Sequence, residues 1–88
     1  MGTIISLERW RRVPPFRISV INQHSASSDE HHLSTEEEAE REAIKAALQI
    51  GTDEVIKGKP FFGAEAKVER DGQLVGRFVV SIGVSPLR

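Results

Sequence analysis

The run "FFGAEAKVERDGQLVGRFVVSIGV", Phe61 to Val84, constrains this chain more than any other. Two alternating segments flank Asp71-Gly72, a strong hairpin signal. Phe62, Ala64, Ala66 and Val68 share one face of the first segment. Leu74, Phe78, Val80, Ile82 and Val84 form the apolar row of the second. A two-residue Asp-Gly turn would pair Val68 with Val75 and Ala66 with Arg77, setting the two apolar rows on opposite faces. A three-residue loop, Arg70-Asp71-Gly72, pairs Val68 with Leu74, Ala64 with Phe78 and Phe62 with Val80, and the rows agree. A one-residue slip inverts every side chain. The sequence therefore predicts the longer loop, with Gly72 left-handed in a G1 bulge.

A third strand precedes the hairpin. Pro14-Pro15 blocks helix and marks a boundary. "FRISVINQ" then alternates, with Phe16, Ile18 and Val20 on one face and Arg17, Ser19 and Gln23 on the other. "HSASSDEHH" has no apolar period and reads as a loop.

The helix signals come next. Ser34 with Glu37, or Thr35 with Glu38, makes a capping box. Glu36, Glu37 and Glu38 fall in the first turn, where the helix dipole favours carboxylates. Ala43, Ile44, Ala47, Leu48, Gly51 and Val55 follow at helical spacing, and Glu37–Arg41 is a favourable i,i+4 pair. Gly58 and Pro60 supply the stop. These signals predict a helix over about 35–57, with a kink or close packing at Gly51, where glycine costs about 1 kcal/mol against alanine.

The expected architecture is α+β: a small antiparallel three-stranded sheet in β-α-β-β order, with one long helix on one face. The expected core is Phe16, Ile18, Val20, Ile44, Leu48, Val55, Phe62, Val68, Leu74, Phe78, Val80 and Ile82. Glu65, Lys67, Glu69, Val75, Arg77, Val79 and Ser81 are expected on the other sheet face. At 88 residues the chain reads as one domain, with an N-terminal arm over 1–15 and the core over 16–84. A domain of this size buries only about two-thirds of its unfolded surface. An open face and an edge strand make dimerisation an expectation.

"EAEREAIKAALQIGTDEVIKGK" followed by "AEAKVERDGQLVGRFVVSI" resembles a family of small bacterial proteins of unknown function, common in rhizobia and related alphaproteobacteria. The matching residues are Glu38, Ala39, Glu42, Ala43, Ile44, Ala47, Asp53 or Glu54, Val55 to Gly58, Asp71, Gly72, and Phe78 to Val80. The resemblance covers roughly residues 16–84. It implies the β-α-β-β pattern and carries no activity or catalytic residues. This chain departs from the family in a longer N-terminal arm and in the His31-His32 loop.

Composition limits the chemistry. The chain has no cysteine, so no disulfide, thiolate nucleophile or cysteine-based metal site is available. Net charge is −1, unevenly spread. Residues 1–23 set Arg9, Arg11, Arg12 and Arg17 against Glu8. Residues 24–42 set Asp29, Glu30 and five glutamates against Arg41. That balance argues against a general nucleic-acid binder. No apolar run is long enough to span a bilayer, and "MGTIISLERWRR" orders its charges wrongly for a secretory signal. The cytoplasm and no membrane partner are the expectation.

Two clusters compete as sites. His24, His31 and His32, with Asp29 and Glu30, offer metal ligands, but adjacent histidines in extended chain point opposite ways. A solvated helix entry is the expectation, with no metal and no cofactor. Arg9, Trp10, Arg11, Arg12 and Arg17 form a candidate partner-binding arm. Trp and Arg are enriched in protein hot spots and also grip nucleic-acid backbones. No nucleophile–base pair or Gly-rich phosphate loop accompanies them, so the sequence predicts no catalysis. It predicts a self-associating or protein-binding module, with a nucleic-acid accessory role through the arginine arm as the alternative.

Overall fold

The computed structural model describes residues 14–87. Strands β1 (Phe16–Ile21) and β2 (Ala26–His31) precede helix α1 (Glu36–Ile56), and strands β3 (Phe61–Arg70) and β4 (Gln73–Gly83) follow. The sheet is antiparallel throughout, in the order β2-β1-β3-β4. Among the described residues the α+β class and a single helix are as expected. The sheet has four strands, not three.

The added strand is β2, which the sequence reads as a loop. It contains "ASSDEH", with no large apolar residue to set a period. Its order comes from the backbone ladder to β1, from Phe16 opposite His31 to Ile21 opposite Ala26. Side chains reinforce it. Arg17 donates to Ser28 Oγ at 3.2 Å and to Glu30 Oε2 at 3.3 Å, and the Ser19 and Ser28 hydroxyls meet at 3.1 Å. Asn22 closes the connection, its Oδ1 accepting from the backbone N–H groups of His24 and Ser25.

The β3–β4 register also differs from expectation. Arg70 pairs with Gln73, so the turn is the two-residue Asp71-Gly72. Both residues take positive φ, 53° and 76°, as a type I′ turn requires. The faces are reconciled further along, by an irregularity between Val68 and Glu69 that leaves Val75 as an extra residue on β4. Beyond it Val68 faces Gly76, Ala66 faces Phe78, Ala64 faces Val80 and Phe62 faces Ile82. The bulge also exchanges two neighbours. Val75 packs against the core, whereas Leu74 is 54% exposed.

Helix α1 begins at Thr35, whose hydroxyl accepts from Glu38 N–H at 3.1 Å. Glu38 Oε2 accepts in turn from Ser34 N–H at 3.3 Å, so the second of the two candidate boxes forms, shifted outward by one residue. At the other end Gly58 takes φ 113°. Its N–H donates to Val55 O, and Lys59 N–H donates to Glu54 O, the two bonds of a Schellman motif. Lys57 pairs with Asp53 at 2.9 Å, and that hydrogen bond raises the Lys57 pKa. The expected Glu37–Arg41 pair forms at 3.8 Å.

The core is Phe16, Ile18 and Val20 from β1, Phe62, Ala64, Ala66 and Val68 from β3, Val80 from β4, and Ala39, Ala43 and Ala47 from α1. The helix thus presents a ridge of small residues, Ala39, Ala43, Ala47 and Gly51, each four apart. A Cβ on Gly51 would lie 2.6 Å from both Ile82 Cδ1 and Phe62 Cδ2. The helix runs unbroken through Gly51 because its backbone touches the sheet there. This close approach corrects the expected core. Ile44 and Leu48 are rotated off the buried ridge, and Leu48 is 43% exposed. Val55, Phe78 and Ile82 pack on the core margin.

Candidate interaction surface

The arm residues Arg9, Trp10, Arg11 and Arg12 lie outside the described residues. Arg17 is described, on the helix-free face of β1, and its guanidinium is engaged by Glu30 and Ser28. His24 sits in the β1–β2 connection and His31 ends β2 opposite Phe16. Among the described residues no three His, Asp or Glu side chains converge on a common point.

The helix-free sheet face is polar. Arg17, Ser19, Glu65, Lys67, Glu69 and Arg77 cover it, and Arg77 donates to Glu65 across β3 and β4. Val79 interrupts that face at 80% exposure. A groove lies between the β1–β2 connection and the end of α1, lined in part by His24, Glu54, Lys59 and Phe61. Its facing charges neutralise each other, Lys59 to Glu54 at 3.0 Å.

The two edges of the sheet differ in kind. An edge strand offers unpaired N–H and C=O groups to any extended chain, and charged residues normally guard it. β2 is guarded by Asp29 and Glu30. β4 has 11 residues, and Arg77 is the one charge in "QLVGRFVVSIG". That charge is already turned to Glu65.

The flank of α1 beside β4 carries two apolar side chains, Ile44 and Leu48, among polar ones. Glu40, Ile44 and Leu48 stand four apart and form one ridge. Its first member lies against β4, since the Glu40 carboxylate stands 3.2 Å from where a Cβ on Gly76 would be. Ile44 and Leu48 continue the ridge along the helix. With Arg41, Lys45, Gln49 and Thr52 they line an open groove of about 520 Å³. The sparsely charged edge and the Ile44–Leu48 pair therefore lie on one side of the molecule, with Glu40 between them at Gly76. Sequence reasoning missed the combination because it placed Leu48 and Ile44 inside.

Among the described residues no helix is long and apolar enough to cross a membrane. The chain matches no protein-family model, and neither a curated protein nor a solved structure matches it significantly.

Proposed function

We propose that this chain is a protein-binding module of the cytoplasm, without catalysis of its own, that works through the β4 edge and the Ile44–Leu48 ridge beside it. The observation that carries this reading is the asymmetry of the sheet: one edge bears acidic guards and the other bears nearly none. An added strand would satisfy the free backbone groups of β4 while a side chain above it covered Leu48. This reading keeps the resemblance to the small rhizobial-type family, which brings no activity with it.

Photocrosslinking in the host tests it. A benzophenone amino acid at position 48 or 79 is expected to yield discrete protein adducts, while the same probe at Ser28 on β2 yields none. Adducts from all three positions alike, or from none, contradict the reading.

A further inference from the structure

We propose that the occupant of the β4 edge is β4 of a second copy, paired antiparallel to join two four-stranded sheets into one of eight strands. The inference rests on the interface reading above and names its partner.

Self-pairing is favoured by what the strand carries. A two-fold axis perpendicular to the sheet keeps both helices on one side, because each residue then meets a residue of the same face. The axis position decides the contacts. Centred on Arg77, it would bring the two guanidiniums together. Centred on Val79, it places Phe78 opposite Val80 of the second copy, and Ile82 opposite Gly76 of the second copy. A large side chain then meets a smaller one at each step on the helix side. On the other face Arg77 meets Ser81 of the second copy, and Val79 meets its own image. No like charges face each other, and the regular part of β4 beyond the Val75 bulge is used throughout.

The helices add the apolar cover that backbone pairing lacks. Glu40 stands beside Gly76 of β4, and Ile44 and Leu48 follow it at four-residue steps on the same flank of α1, so the same axis turns the two flanks toward each other above the joint. Pairing β4 with β2 of another copy is the competing arrangement. It sets an apolar row against Ser27, Ser28, Asp29 and Glu30, and it propagates head to tail without closing.

Sedimentation equilibrium of the purified chain tests the pairing. The expected mass is twice the 9.8 kDa of one chain, falling toward one chain on dilution. Val79→Lys puts two ammonium groups at the axis and is expected to weaken the dimer by roughly tenfold or more. Val79 is 80% exposed, so the fold persists, as circular dichroism checks. Leu48→Glu is expected to act likewise, and Ser28→Lys on the other edge to leave the dimer intact. A monomeric parent at every concentration, a Val79→Lys variant that dimerises as the parent does, or an open-ended polymer overturns the proposal. A monomeric parent whose position-79 probe still captures a different protein overturns self-pairing while the interface reading stands. A monomeric parent with no adducts overturns both.

Discussion

Gly51→Val lowers the stability of this domain by about 3 kcal/mol, the upper part of the range for overpacking a closed core. The first added carbon would meet Ile82 Cδ1 and Phe62 Cδ2 at 2.6 Å and Phe62 Cε2 at 2.9 Å. Ile82 can swing its terminal methyl aside, but the Phe62 ring is buried and held by the core. Replacing a helical glycine by a better helix former returns less than about 1 kcal/mol, so the clash decides the sign. The strain has two sources, and Ile82→Val removes one of them. The double variant is therefore expected to be more stable than the sum of the single losses predicts, because the two positions touch and share one clash. Urea denaturation measures both. A Gly51→Val protein as stable as the parent would mean that α1 does not rest on the sheet at this point.

Phe16→Ala costs more, about 3–5 kcal/mol, the usual loss for a buried phenyl ring. Phe16 is fully buried at the start of β1, opposite His31 on β2 and Arg70 on β3. The Arg70 guanidinium lies 4.0 Å above its ring centroid and donates from Nε to Pro14 O at 3.1 Å. Removing the ring leaves a void and also strips the arginine of its platform. A domain of this size holds only about 5–10 kcal/mol in total, so the variant is expected to be partly unfolded at 37 °C. Phe16→Leu, which keeps most of the volume, is expected to lose less than half as much. Equal losses from the two variants, read from denaturation midpoints, would contradict the packing described for this end of the core.

These two sites show how unevenly the fold was legible. Phe16 stands in a plain alternating strand, and its burial follows from the period alone. Gly51 was legible as an anomaly, since a mid-helix glycine needs a close neighbour or a break, but the sequence does not choose between them. The helix core was misread for a physical reason. Size suggested Ile44 and Leu48 as anchors, yet a helix resting close to a sheet selects its smallest ridge, Ala39, Ala43, Ala47 and Gly51. The hairpin register failed differently. Parity demands one extra residue, and the sequence alone points to the turn as its place. The bulge at Val75 meets the same demand inside β4, leaving Asp71-Gly72 free to form its preferred two-residue turn. β2 escaped notice because an edge strand exposed on both faces needs no apolar row, only a partner for its backbone. The candidate surface depends on both points, since the sequence alone puts Leu48 in the core and aligns β4 two residues away.

Amide hydrogen exchange on the two edge strands tests the account most directly. In the paired molecule the outward N–H groups of β4 between Gly76 and Gly83 are protected at high protein concentration, and they lose that protection on dilution. Those of β2 exchange rapidly at both concentrations. Outward amides of β4 that exchange as fast as those of β2 at every concentration would show an edge without a partner, and would contradict the claim that β4 is where this protein binds.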